Sequence, residues 1–224
     1  MHIGSQITDL QPFDDAFALL ADFVHQLRSD GHAIHHLDLG GGLGVPYRLD
    51  QPAPPAPAVY AEVIRKHLGT LGCQLILEPG RLLVANAGIL VTRVIYVKEG
   101  EGKTFVIVDA AMNDLIRPTL YEAHHDLWPV HQNATEQKTV LVDVVGPVCE
   151  SGDYLALDRH MPLPKEGDLL AVMTTGAYGA VQACTYNTRL LVPEVLVKGS
   201  ETAVIRPRET FETLIGRDQL PNWL

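Results

Sequence analysis

Residues 74–81 read Gln-Leu-Ile-Leu-Glu-Pro-Gly-Arg. The apolar run from Gln74 to Leu77 reads as a strand, and Glu78-Pro79-Gly80-Arg81 stops it with a turn that opens a helix. Working outward, a second apolar run, Ile34 to Leu39, ends in Gly40-Gly41-Gly42. Between the two lie a Pro-rich surface loop, Pro52 to Pro57, and a helical segment from about Ala58 to Leu68, closed by Gly69. Ahead of both, Phe13, Phe17, Leu20, Phe23, Val24 and Leu27 recur at helical spacing over Pro12 to Arg28, with Asp14 and Asp15 in the first turn. Strand, loop and helix repeated in this way predict a parallel α/β sheet or barrel. Two parallel strands cannot close a barrel, so this part reads as incomplete by itself.

The pattern changes near Ala87. Ile89–Lys98, Thr104–Asp109, Lys138–Val144, Asp168–Met173 and Leu191–Val197 read as strands rich in Val, Ile, Leu and Thr, separated by Gly, Pro and Asp turns. A last helix is expected over Glu209 to Leu214. The expected organisation is an α/β domain over 1–87 and a β-rich domain over 88–224, with no internal repeats.

Composition narrows the function classes. The chain has 224 residues, 46% of them hydrophobic and 20% charged, with a formal net charge of −10. That is ordinary globular composition. Its six lysines and eleven arginines are scattered, which argues against nucleic acid or an anionic membrane as partner. No apolar run reaches the length of about 18 residues that a membrane span needs. The first residues lack a basic, then apolar, leader. Cys73, Cys149 and Cys184 are odd in number and far apart, which suggests free thiols in a reducing, cytoplasmic compartment.

Several loops carry chemistry. Gly40-Gly41-Gly42-Leu43-Gly44 follows a strand, where glycine lets backbone amides approach a phosphate; a tight turn is the plain alternative. In Glu78-Pro79-Gly80-Arg81, Arg81 suits a bidentate anion contact and Glu78 suits a protonated ring nitrogen; a surface turn is the alternative. Two such loops at strand C-termini converge on one face in an α/β barrel. Cys149, beside Glu150 in a Gly-flanked loop, is a candidate proton donor, although a lone cysteine is commonly a small buried hydrophobe. Arg117, four residues from Tyr121, suits a carboxylate clamp, against the blander reading of a surface arginine. Tyr178 sits between small residues in Gly176-Ala177-Tyr178-Gly179. The pairs His35-His36 and His124-His125 have no metal-ligand spacing, and no metal is expected.

Read in order, HIGSQ (2–6), GGGLGVPY (40–47), EPGR (78–81), RPTLYEAHH (117–125), GPVCESGD (146–153), GAYG (176–179) and the Tyr186-Asn187, Arg189 and Pro193–Val197 stretch resemble the diaminopimelate decarboxylases. These are pyridoxal-phosphate enzymes of the alanine-racemase-like class. EPGR and GGG are shared with ornithine and arginine decarboxylases, whereas CESGD, GAYG and the final stretch look specific to the diaminopimelate branch. The resemblance covers essentially the whole chain.

It implies the C-terminal portion of a TIM-like (β/α)8 barrel followed by an all-β sandwich or barrel domain. It also implies homodimers with active sites at the subunit interface. His2 would stack on the cofactor ring. Ser5, Gly41, Gly42, Gly80 and Arg81 would hold the phosphate, and Glu78 would pair with the pyridinium nitrogen. Arg81, Arg117, Tyr121, Glu150 and Tyr178 would bind substrate, Tyr178 touching the cofactor too. Cys149 and Glu150 would reach into the partner's site, Cys149 as proton donor. The implied reaction is decarboxylation of meso-2,6-diaminopimelate to L-lysine. The family's Schiff-base lysine lies before HIGSQ, and none of Lys66, Lys98, Lys103, Lys138, Lys165 and Lys198 stands in a comparable motif. The chain is therefore expected to be a C-terminal fragment, inactive by itself. The alternatives are a related decarboxylase of ornithine, arginine or carboxynorspermidine, and a non-catalytic binding relative.

Overall fold

The computed structural model describes residues 1–50, 52–131 and 138–223, which divide into two compact units. The first is Met1–Leu90 together with Val172–Ala177. Its long helix α1 (Gln11–Ser29) has Pro12 and Asp14 in the first turn and buries Phe13, Phe17 and Val24. Helix α2 (Pro57–Leu68) buries Tyr60, Ile64 and Leu68, one residue per turn along one face. The two stripes meet: Phe13 and Tyr60 stack edge to face with centroids 4.9 Å apart, and Leu37, Leu39, Leu43 and Leu71 complete the core. Burying one such aromatic ring stabilises the fold by about 1.5–3 kcal/mol. Outside that core, Asp14 accepts hydrogen bonds from Lys66 Nζ at 2.7 and 2.9 Å and lies 2.9 Å from His67 Nε2.

Strands β1 (His36–Asp38) and β2 (Gln74–Ile76) pair in parallel, with Leu37 opposite Leu75. Both are shorter than the apolar runs that announce them. The ladder ends where Gly40 turns to φ +68° and where Pro79 has no N–H to give. Two further bonds carry the pairing into the loops: Leu39 N–H donates to Ile76 O and Glu78 N–H to Gly40 O, each at 2.9 Å. The helix after EPGR, α3 (Arg81–Val84), is a single turn followed by a 3-10 turn at Ala85–Ala87.

The second unit is Val91–Ala171 with Tyr178–Leu224. Its elements are β3 (Leu90–Gly100), β4 (Lys103–Val108), α4 (Arg117–Tyr121), β5 (Leu127–Pro129), β6 (Thr139–Val145), β7 (Tyr154–Pro162) and β8 (Leu169–Val172). The strands form one sheet in the order β5-β8-β3-β4-β6-β7. A two-residue turn, Glu101-Gly102, joins β3 to β4, with Gly102 at φ +79°. Strand β4 pairs with β6 in parallel, and β6 with β7 antiparallel. Val94, Val106, Val108, Val142, Val144, Leu155 and Leu170 are buried along it. A separate antiparallel pair, β9 (Glu194–Lys198) and β10 (Glu201–Arg206), turns at Gly199, and α5 (Phe211–Ile215) is capped by the Thr210 hydroxyl.

Strands β5, β7 and β10 were not anticipated from the sequence. In β7, the polar triplet Asp158-Arg159-His160, with Asp158 at φ 51°, breaks the alternation that marks a strand. The strand expected from Leu191 begins only at Glu194, after Pro193, which cannot donate to a ladder. The β-rich part also contains helical turns beyond the expected last helix: α4 and a 3-10 turn at Tyr186–Thr188.

Candidate functional site

The first unit gathers seven of the candidate residues around the C-terminal ends of β1 and β2. The loop Gly40–Gly42 lies between the N-terminal segment and the EPGR turn. A Cβ on Gly41 would stand 2.2 Å from Glu78 O, and one on Gly42, at φ +101°, would stand 2.2 Å from Gly4 O. His2 borders the same loop, its Cε1 3.5 Å from that second position. Ile7 and Leu43 bridge the two segments in parallel, with Ile7 N–H donating to Gly42 O at 2.9 Å. Only glycine fits so close a backbone approach.

Arg81 ties the cluster together. Its guanidinium donates to Ser5 Oγ at 3.1 Å and to the Tyr47 hydroxyl, and lies 5.6 Å from the Tyr47 ring centroid. Glu78 and Gly80 are exposed at the mouth of the same turn. The Arg81 guanidinium, the Ser5 hydroxyl and a glycine backbone are thus grouped at the turn that also carries Glu78. That donor set suits a phosphate ester. Within the same unit, Gly176 N–H donates to Ala85 O at 3.0 Å, and a Cβ on Gly176 would stand 1.9 Å from Val84 O. This fixes the start of GAYG, and Ala177 is buried against Val45 and Ala85.

In the second unit Arg117 is buried, 7% exposed, and not the surface arginine of the blander reading. Its Nε–H donates to Nε2 of fully buried His125 at 3.2 Å, so that ring nitrogen carries a lone pair. The guanidinium lies 5.7 Å from the Tyr178 ring centroid, within cation–π range. Tyr178 takes φ 59°, a costly conformation for a bulky residue. Tyr121 is exposed at the end of α4, one turn beyond Arg117.

Cys149 and Glu150 share an exposed loop between β6 and β7. The Tyr186 hydroxyl donates to Glu150 Oε2 at 3.3 Å. The Glu150 carboxylate, accepting that bond, holds Tyr186 above the ordinary tyrosine range. Tyr47, His125, Asp153 and Tyr186 were not singled out from the sequence as site residues. All four stand inside the motifs quoted above, so motif membership was the available signal; what each touches was not.

Residues 12–176 match the family described as pyridoxal-dependent decarboxylase, C-terminal sheet domain. The chain belongs to that family. It is 50% identical over 223 residues to the diaminopimelate decarboxylase of Zymomonas mobilis, covering 100% of this chain and 52% of that protein. Among solved structures it resembles diaminopimelate decarboxylase from M. jannaschii, with TM-score 0.92 and 38% identity over 100% of this chain and 52% of that one. It also resembles the Helicobacter pylori diaminopimelate decarboxylase complexed with L-lysine, with TM-score 0.88 and 39% identity over 96% and 52%. The chain spans about half the length of the relatives it matches. Among the described residues of this decarboxylase-family chain, no helix is long and apolar enough to cross a membrane, and no cluster of three or more His, Cys, Asp or Glu could hold a metal ion.

Proposed function

We propose that this chain carries cofactor-binding and substrate-binding residues of a decarboxylase that converts meso-2,6-diaminopimelate to L-lysine. The observation that carries the reading is the grouping of Ser5, Gly41, Gly42, Glu78 and Arg81 at the ends of two parallel strands. These residues fit pyridoxal phosphate. Ser5, Gly41, Gly42, Gly80 and Arg81 would hold its phosphate, His2 would lie against its ring, and Glu78 would keep its ring nitrogen protonated. Bound there, pyridoxal phosphate supplies the electron sink for loss of carbon dioxide from the substrate α-carbon.

The protein's own groups bind, orient and move the proton. Arg81 and Tyr178 act beside the reacting end of the substrate. Arg117, held by His125, clamps a carboxylate, with Tyr121 beside it. Glu150 takes an ammonium, so a substrate charged at both ends is favoured. Cys149 delivers a proton to the α-carbon. Cys149 and Glu150 act in the partner subunit's site of a homodimer, in the cytoplasm. Residues 1–87 form the C-terminal part of a TIM-like barrel and 88–224 the β-rich domain. None of the six lysines stands in a cofactor-linking motif; Lys66 is tied to Asp14 and Lys103 to Asp143, the latter at 2.7 Å. The cofactor's lysine is therefore supplied by sequence equivalent to the rest of the relatives' length.

A chimera tests this reading directly. This chain replaces the matching half of the Z. mobilis relative, and carbon dioxide release is measured on diaminopimelate, ornithine and arginine. Turnover of diaminopimelate above the other two is expected. A folded, cofactor-loaded chimera that turns over none of them, or prefers ornithine, contradicts the reading.

A further inference from the structure

Asp153 closes the loop that carries Cys149 and Glu150. It is 4% exposed, and its carboxylate holds two backbone amides: Met112 N–H donates to Oδ1 at 2.7 Å and Val148 N–H to Oδ2 at 2.6 Å. Its main chain closes the same loop. Asp153 N–H donates to Glu150 O and Gly146 N–H donates to Asp153 O, each at 3.0 Å. A Cβ on Gly146 would stand 2.4 Å from Asp153 Oδ2, so the carboxylate occupies the space that any other residue there would fill. A second tie runs from the Thr119 hydroxyl, which donates to Gly152 O; a Cβ on Gly152 would stand 2.6 Å from Thr119 Cγ2.

Met112 leads into α4, and Thr119 lies on it with Arg117 and Tyr121. The exposed pair Cys149 and Glu150 is thus fastened, through one buried carboxylate, to the segment bearing the carboxylate clamp. Both amide bonds are charge-assisted and short. Asparagine has the same shape but offers one oxygen and one NH2 group, so one backbone N–H would face a donor.

We infer that Asp153 is a positioning residue that sets Cys149 and Glu150 against the Arg117–Tyr121 helix. The assignment of what it positions rests on the decarboxylase reading above. Two measurements separate the two claims. In this chain alone, amide hydrogen exchange at Val148 and Met112 is expected to quicken about tenfold in Asp153→Asn, with β3 and β4 unchanged. Unchanged protection overturns the inference. In the chimera, Asp153→Asn is expected to lower kcat/KM for diaminopimelate about tenfold, and to do so less than about twofold when Cys149→Ala and Glu150→Gln are already present. Equal losses in both backgrounds mark a merely structural residue and overturn the inference. Gly146→Ala, whose Cβ displaces the carboxylate and leaves its charge, is expected to reproduce both effects if Asp153→Asn does not fold. A chimera without diaminopimelate turnover counts against the decarboxylase reading, and the exchange measurement then decides on Asp153.

Discussion

Cys149 and Arg81 carry separable parts of the proposed chemistry. Cys149 is exposed and lies apart from the cofactor cradle in sequence, so its removal acts on proton delivery. In the chimera, Cys149→Ala is expected to lower kcat about 100-fold with cofactor affinity unchanged; absorbance titration and steady-state rates check both. Arg81→Ala removes the group that joins Ser5 to Tyr47 and is expected to weaken cofactor binding at least about tenfold. Tyr60 makes a purely structural point. Its ring is packed against Phe13, but its buried hydroxyl finds no hydrogen-bond partner among the described residues, and burial raises its ionisation above the ordinary range. Tyr60→Phe keeps the ring and removes the unsatisfied group. It is expected to leave stability unchanged or raise it by about 1 kcal/mol, read from a urea midpoint. A loss larger than that contradicts the assignment.

At the scale of elements, α1 and α2 were legible because an amphipathic helix writes its period into the sequence, as Phe13 and Phe17 or Tyr60 and Ile64 do. The glycine loops were legible as loops. Their packing was not, because the atoms that exclude a Cβ at Gly41, Gly42 and Gly176 belong to Glu78, Gly4 and Val84, distant in sequence. The same holds for Arg117: nothing in RPTLYEAHH separates a surface arginine from one buried on His125. The α1–α2 contact also sets a pH dependence. The hydrogen bond from Lys66, and then that from His67, hold Asp14 below its ordinary value of 3.8. A carboxyl lowered in the folded state contributes stability that is fully present above its unfolded value and lost as pH falls through the folded one. Asp14→Asn is expected to flatten the fall in urea midpoint between about pH 5 and pH 3. An unchanged slope contradicts that role.

For the whole molecule, the sequence shows a change of period near Ala87. It could not show that Val172–Ala177 returns to the first unit, since chain return is a tertiary fact. Nor could it show that β9 and β10 form a pair whose Val195, Leu196, Val197, Val204 and Ile205 are all at least half exposed. The central claim is that the cradle at Ser5, Gly41, Gly42, Glu78 and Arg81 serves a decarboxylase for diaminopimelate. Lysine released from diaminopimelate by the chimera, compared with its Glu78→Gln variant, tests it most directly. The expected result is turnover in the parent and a loss of at least about 100-fold in the variant, because an amide cannot keep the ring nitrogen charged. Equal turnover in both would contradict the claim.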